Sequence, residues 1–448
     1  MQETIAIERM GYGPEAVGRL ASGKTVFVEG AAPGDVVEAE VVEDKPSFAR
    51  ARVVRVAEPS PSRVAPRWAE PAALAAAPWQ HLAYDAQLAA KRANVVAALS
   101  RTGAFDAGAA EDLVADPIPS KRQWGYRNKI ELGAGVDARG LLTLGFHAEG
   151  STDVLPAESC PLAHDAIARA PKALRGALRY LQGSDDLGIY RVGIRTSVRT
   201  RQTEIALWTP PSGFPRAAAA NMLRTALKGR ATSIVRVLAE PGRARKVKRV
   251  ELLDGSGHWE EELCGARLMA SAPSFFQVNT AQAERLVACA VEMLGGTVKG
   301  GLSGLDGQLI ADLYAGCGTF SVALAQAGAD VIAVESAGSS VRDLRRNAEG
   351  NDVDVEVIGG DAARELPDLG DLDALVVDPP RAGLAEGVPA DIAAARPDRV
   401  VYVSCNPATW ARDARRLEDE GYRLERVQPV DLFPQTYHVE VVSLFARG

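Results

Sequence analysis

Short runs of alternating apolar and polar residues fill the first 58 positions. "IAIER", "KTVFVEG", "DVVEAEVVED" and "ARARVVRV" carry the two-residue period of half-buried strands, and "GYGP" and "AAPGD" interrupt them. This spacing predicts a small closed β-barrel over residues 1–60. "EPSPSRVAP" reads as a Pro- and Ser-rich linker, and residues 80–101 read as helix. From 116 to 270 strands ("NKIEL", "LLTLGF", "YRVGIRTSV", "TEIALW") mix with helical stretches. Linker, helix and mixed region together make a central α+β domain over residues 61–270.

Over residues 271–448 the pattern alternates strand and helix. "LIADLY", "DVIAVES", "VDVEVIGGD", "LDALVVD" and "DRVVYVSC" are strands, with helical "TFSVALAQAGA" and "SVRDLRRNAEG" between them and "ATWARDARRLEDEG" after the last. Such alternation predicts an α/β fold, a doubly wound and mostly parallel sheet. Two further strands close the chain.

Composition changes this picture little. With 448 residues, 47% hydrophobic and 24% charged, the chain is ordinary globular protein of two or three domains. "QETIAIERMG" after Met1 has neither a basic start nor an apolar core, so no signal peptide is expected. No apolar run reaches membrane-spanning length, so no membrane partner is expected. Five scattered cysteines speak for a reducing, cytoplasmic setting and against a disulfide framework. A monomer is expected.

Charge adds more. The net charge is −7, yet residues 121–250 hold 23 Lys and Arg against 10 Asp and Glu, a local charge of +13. The remainder therefore carries −20. This asymmetry suggests an electropositive face, densest in "GRARKVKRV"; a solvated surface loop is the equal alternative.

Ligands of open parallel sheets bind beyond the carboxyl ends of the strands. Here those ends carry "AGCGTF", Glu335, Asp361, Asp378 and Cys405. Gly316 and Gly318 let backbone N–H groups approach a ligand at a helix start. Glu335, 19 residues after Gly316, suits a pair of ribose hydroxyls. Position 321 is serine, not the third glycine of a dinucleotide turn, so a nucleoside cofactor without pyrophosphate fits better. Each residue alone has a bland reading: a loop acid, a helix cap, a buried thiol. Their shared edge favours a site. In "VVDPPRAGL", Pro379 and Pro380 fix a rigid turn, and Arg381 stands where enzymes methylating amino groups of adenine or cytosine carry an aromatic residue.

"SFFQVNTAQAERL" (274–286), "DLYAGCGTFSVALA" (312–325), "DPPRAGL" (378–384), "VYVSCNPATWARD" (401–413) and "LFPQTYHVEVVSLF" (432–445) resemble, in order and spacing, the RNA uracil-5-methyltransferase family. "TVFVEGAAPGDVVEAEV" resembles the TRAM domain, a small RNA-binding barrel, and "WGYRNKIEL" resembles the family's central RNA-binding domain. The resemblance implies a Rossmann-like methyltransferase sheet and S-adenosyl-L-methionine as methyl donor. It implies methylation of carbon 5 of a uridine in transfer or ribosomal RNA, with 23S rRNA favoured because a TRAM-like barrel more often accompanies the ribosomal enzymes. Uracil C5 is a weak nucleophile until a thiolate adds to C6, and the C5 proton must then leave, so this chemistry needs a cysteine and a base but no metal. By resemblance Cys405 is the nucleophile and Glu440 the base, with His438 as rival. Gln277, Tyr314, Thr319, Glu335, Asp361 and Asp378 hold the cofactor; Thr319 departs from the asparagine of many relatives. Cys317 reads as packing.

Many relatives hold an iron–sulfur cluster by C-x5-C-x2-C and a later cysteine. Here those positions fall on Trp68, Leu74, Ala77 and Cys160, so no cluster is expected. Three other readings explain less. A non-catalytic RNA-binding protein leaves Cys405, Glu440 and the glycine turn unexplained. A nicotinamide dehydrogenase lacks its third glycine, and a methyltransferase acting on another base is opposed by Arg381 and Cys405.

Overall fold

Five strands close the N-terminal barrel in a computed structural model describing residues 2–148, 150–183, 185–242 and 246–448. They are β1 (Gln2–Met10), β2 (Ala16–Arg19), β3 (Thr25–Glu29), β4 (Val36–Asp44) and β5 (Phe48–Glu58), in the order β1-β2-β3-β5-β4 with β4 returning to β1. Alternate residues point inward: Ile5, Ile7, Val26, Val28, Val37, Ala39, Ala49 and Ala51 are buried together. Full burial of a Val or Ile stabilises by roughly 1.5–3 kcal/mol, so a charge at Val28 would open the barrel. Gly18 lies where β2 crosses β1; a Cβ there would meet the Ala6 carbonyl oxygen at 2.6 Å.

The Pro- and Ser-rich stretch is no free tether. Ser60 N donates to Asp35 at 2.9 Å and the Arg63 guanidinium pairs with the same fully buried carboxylate at 2.6 Å. Arg63 also bridges to Leu82, and Trp79 and Leu82 complete the barrel core. Composition identified a loop but not its docking, because a single buried aspartate in the barrel fixes it.

Next come α1 (Ala72–Ala76), α2 (Tyr84–Arg101) and α3 (Ala107–Leu113). The central sheet has the order β12-β11-β10-β9-β6-β7-β8. Its strands are β6 (Lys129–Val136), β7 (Leu142–His147), β8 (Val154–Pro156), β9 (Arg191–Thr196), β10 (Thr203–Thr209), β11 (Ser233–Ala239) and β12 (Val247–Gly255). Helices α4 (Ala170–Gln182) and α5 (Arg216–Ala226) cover it. The basic run enters the edge strand β12, where Lys246, Lys248 and Arg249 are exposed; Arg243 and Arg245 lie outside the described residues.

A hairpin, β13 (Trp259–Leu263) and β14 (Ala266–Ala270), leads to α6 (Thr280–Met293) and the last sheet. There β15 (Leu309–Leu313), β16 (Asp330–Glu335), β17 (Val355–Gly359), β18 (Ala374–Val377) and β19 (Arg399–Ser404) are parallel. Strands β20 (Tyr422–Val430) and β21 (Glu440–Arg447) complete the order β17-β16-β15-β18-β19-β21-β20, with β21 antiparallel to both neighbours. Helices α7 (Thr319–Gln326), α8 (Gly338–Gly350), α9 (Ala362–Glu365), α10 (Val388–Ala395) and α11 (Pro407–Asp419) connect the strands. Apolar layers lie on both faces, the doubly wound arrangement expected from the alternation. Although it precedes the central sheet in sequence, α2 packs on this last sheet, where Val95, Val96 and Leu99 share a core with Trp410 and Leu417.

Candidate active site

The parallel strands bring Tyr314, Glu335, Asp361, Asp378 and Cys405 to one edge of the last sheet. Antiparallel β21 starts at that edge with Glu440. Ser404 pairs with Val441, so the next residues along, Cys405 and Glu440, face each other across the β19–β21 ladder. Two turns frame them. Asn406 caps α11 by accepting from Ala408 N at 3.1 Å, and its amide donates to the Arg381 carbonyl at 3.1 Å. Thr409 Oγ1 also donates to the Arg381 carbonyl at 3.1 Å. Asn before Pro407 is a helix-start signature, an Asn cap with Pro at the first helical position, and it is what turns the chain sharply after Cys405.

Electrostatics bind these groups into one cluster. Burial pushes the Cys405 thiol up to about 11, with Glu440 adding to the effect and Arg381 opposing it. Glu440 is 3% exposed and is driven well above the usual carboxylate range by burial, then by Asp378, with Arg381 again opposing. Asp378 rises to about 7 through burial and the nearby Asp312. His438 falls to about 3 through burial and the cations Arg381, Arg127 and Lys91. It is therefore a neutral and weak base.

Gly318 takes φ +90 ahead of α7, a conformation that favours glycine, and Thr319 opens the helix. Glu335 accepts from Gly316 N at 2.9 Å and Ala337 N at 2.6 Å, tying the glycine turn to the end of β16. Asp361 caps α9 through Ala363 N. Tyr314 is half-buried with φ +63. Gln277 lies in the turn before α6, held by Asn128, whose amide donates to its carbonyl at 2.9 Å. The Gln277 side-chain oxygen is buried with no hydrogen-bond partner among the described residues. An orphaned acceptor, an open glycine turn and an acid with lone pairs to spare fit a nucleoside cofactor. Cys317 is buried and donates weakly to the Phe275 carbonyl at 3.6 Å, as packing requires.

Trp68, Ala77 and Cys160 lie in the central core, with the Trp68 ring edge-on to Phe146, while Leu74 is 65% exposed. A single thiol occupies this set of positions. Among the described residues no group of three or more His, Cys, Asp and Glu is placed to hold a metal ion, and no helix is long and apolar enough to cross a membrane. A groove of about 810 Å³ runs between the central sheet and α6; its lining includes Lys121, Arg122, Arg199 and Arg285 together with Glu261 and Glu284, the last paired with Arg199.

One contributor escaped the sequence reading. Tyr12, from the β1–β2 turn of the barrel, donates its hydroxyl to the Cys405 carbonyl at 3.2 Å. The Gly-flanked aromatic of "GYGP" was visible only as a turn.

The last sheet is that of a nucleoside-cofactor transferase, and the comparisons with known proteins specify it further. Residues 267–447 match the tRNA (uracil-5-)-methyltransferase family, and residues 3–54 match the TRAM domain. An RNA methyltransferase of Gloeobacter violaceus is 36% identical over 99% of this chain and 96% of its own. One of Listeria innocua is 32% identical over 98% and 96%. The crystal structure of Pyrococcus abyssi tRNA (uracil-54, C5)-methyltransferase with S-adenosyl-L-homocysteine superposes with a TM-score of 0.73 at 25% identity, covering 100% of this chain and 99% of that one. The chain belongs to the RNA uracil-5-methyltransferase family and carries an N-terminal TRAM domain.

Proposed function

We propose that the protein methylates carbon 5 of one uridine in a folded RNA, using S-adenosyl-L-methionine and a covalent adduct between Cys405 and uracil C6. The observation that carries this reading is the facing pair Cys405 and Glu440, with Arg381 and Asp378 beside them. The S-adenosyl-L-homocysteine bound to the Pyrococcus abyssi enzyme supports the choice of cofactor.

Gln277, Tyr314, Thr319, Glu335, Asp361 and Asp378 would hold S-adenosylmethionine, which supplies an electrophilic methyl group when bound. The Cys405 thiol gives its proton to water and the thiolate sulfur bonds to C6, pushing the electron pair of the 5,6 double bond toward C5 as an enolate. Carbon 5 would then bond the donor's methyl group as the methyl–sulfonium bond breaks, with S-adenosylhomocysteine as the leaving group. Glu440 removes the C5 proton, the double bond re-forms and the Cys405 thiolate leaves. Arg381 is the cation that favours both anionic forms. His438, held neutral and weakly basic, is the poorer candidate for the base.

The target base must leave its stack to reach a sheet edge, which costs least in a loop. Lys121, Arg122 and Arg285 of the groove, and the exposed Lys246, Lys248 and Arg249 at the start of β12, are suited to the phosphates. Incubation with labelled S-adenosylmethionine and either ribosomal or transfer RNA, followed by nucleoside analysis, tests the reading. Label in 5-methyluridine is expected, with large-subunit ribosomal RNA the first substrate to try. Label in methyladenosine, or in no nucleoside of either RNA, overturns it.

A further inference from the structure

The barrel is joined to the catalytic residues by more than a tether. Its β1–β2 turn, Gly11–Glu15, is held from behind at two points: Asn94 of α2 donates to the Gly11 carbonyl at 3.2 Å and Trp79 Nε1 to the Gly13 carbonyl at 2.9 Å. Between these anchors Tyr12 projects away. Its ring meets Tyr437 edge-on at 5.7 Å, and Tyr437 in turn lies 4.2 Å from the His438 ring. The Tyr12 hydroxyl ends on the carbonyl of Cys405, 393 residues away in sequence. Burial raises the phenol, with Cys405 and Glu440 adding and Arg381 opposing, so the hydroxyl stays a donor throughout the working pH range.

The Cys405 carbonyl sits at a decisive point. On its N-terminal side is the last rung of the β19–β21 ladder; on its C-terminal side Asn406 begins the α11 cap. Because the chain is held on both sides, a turn of this peptide must be taken up by the Cys405 backbone and carries its Cα–Cβ bond with it. A hydrogen bond from outside the sheet fixes that orientation, as neither the ladder nor the cap engages this oxygen among the described contacts. Reacting groups must be held near attack geometry, and small displacements cost large factors in rate.

We propose that Tyr12 is a positioning residue for Cys405, so that the RNA-binding barrel is also a structural part of the catalytic centre. This rests on the reading of Cys405 as the nucleophile. It assigns the barrel a second role: the thiol is aimed correctly only while the barrel is docked.

The test compares wild type with Tyr12→Phe, which keeps the ring on Tyr437 and removes only the hydroxyl, in the full-length protein. Single-turnover methylation of the cognate RNA should slow about 5- to 10-fold, the worth of one hydrogen bond, while RNA affinity stays within about 2-fold. An RNA affinity loss with an unchanged methylation rate overturns the proposal and makes Tyr12 an RNA contact. A second readout needs no RNA: the rate at which iodoacetamide alkylates Cys405, followed by peptide mass with the other four cysteines as internal controls. That rate should change by about 3-fold or more in Tyr12→Phe. An unchanged rate overturns the proposal. Should wild type methylate no RNA at all, the proposed function fails and the alkylation rates still decide the Tyr12 contact. Tyr12→Trp, which restores a ring and an N–H donor but not its position, should not rescue either readout.

Discussion

Lys91 and Asp431 meet at 2.5 Å with neither side chain reaching solvent, joining α2 to the loop that runs from β20 to Glu440. Tyr84 donates to the other Asp431 oxygen at 2.6 Å. One turn further, Gln87 and Gln435 exchange hydrogen bonds: the Gln87 amide donates to the Gln435 side-chain oxygen at 3.1 Å, and Gln435 N donates back at 2.9 Å. A helix that precedes the central sheet in sequence thus grips the segment leading into the candidate base.

Removing one member of that pair should be severe. Lys91→Met leaves Asp431 buried beside Tyr84 alone, at a cost of about 3–5 kcal/mol. The double variant Lys91→Met, Asp431→Leu removes both charges and should recover most of the loss. Thermal denaturation of the three proteins checks this; equal melting temperatures for wild type and Lys91→Met would show the pair to be idle.

Cys405 and Glu440 should fail differently. Cys405→Ala removes the attacking sulfur, so neither adduct nor methylation should form. Glu440→Gln keeps the shape but cannot take the C5 proton, so the enzyme should stall bonded to an already methylated uridine. Denaturing electrophoresis should then reveal a protein–RNA band carrying label from the methyl donor. Catalytic bases contribute about 100- to 10,000-fold, so slow release through water is expected. Normal turnover by the Gln variant would move the role to His438.

The pH profile follows from the same pair. Both groups act after losing a proton, and burial raises both, Cys405 to about 11. The log of kcat/KM should therefore climb between about pH 6 and 9 with a slope of about one or more. Arg381→Gln, removing the cation that opposes both shifts, should move the limb to higher pH. A flat profile contradicts the assignment.

Asp312 predicts a pH effect on stability instead. It is fully buried in β15, accepts from Ser321 at 2.5 Å, and has its other oxygen without a partner among the described residues. Burial lifts it to about 7, with the Ser321 hydrogen bond opposing. In the unfolded chain it titrates at about 3.9. The folded state therefore keeps a proton that the unfolded state gives up, and stability falls as pH rises from about 4 to about 7, by roughly 2–4 kcal/mol. Asp312→Asn has no such slope. Its melting temperature should gain on wild type between about pH 5 and 8, and a constant difference would refute the buried titration.

For the basic run, reversal of Arg243, Arg245, Lys246 and Lys248 to Glu should weaken RNA binding and flatten its salt dependence, leaving S-adenosylmethionine affinity unchanged. Lys248 is partly engaged already, with Glu240 at 2.8 Å, so it should contribute least. Filter binding over a salt series measures this. Unchanged binding near physiological salt would reduce the run to a solvated edge.

The two periodicities explain what was legible in the sequence. Two-residue alternation marked the barrel, and strand–helix alternation marked the last sheet. Once a sheet is parallel, its strand ends share an edge, so Glu335, Asp378 and Cys405 could be read as one site. Glu440 could not be reached that way, because it begins an antiparallel strand; only its motif pointed to it. The position of α2 was hidden because its buried face includes Gln87, Lys91 and Asn94, which break an apolar stripe and find partners far away in sequence. Tyr12 was hidden for the same reason. Long-range polar contacts leave no local period.

Strand β21 has one more consequence, for the order in which a growing chain can fold. It comes after β20 in sequence yet lies between β20 and β19 in space. As the nascent chain elongates, β19 acquires β18 on one side while its other margin stays unpaired, with the thiol of Cys405 at its tip. In the finished sheet β20 lies one position farther out, so β19 gains its native neighbour on that side only when β21 is present. Insertion of β21 is therefore a late event that seals an open, aggregation-prone margin and brings the carboxylate to the sulfur in the same motion. Chemical competence and completion of the sheet coincide, so partly folded chains carry the thiol without its base.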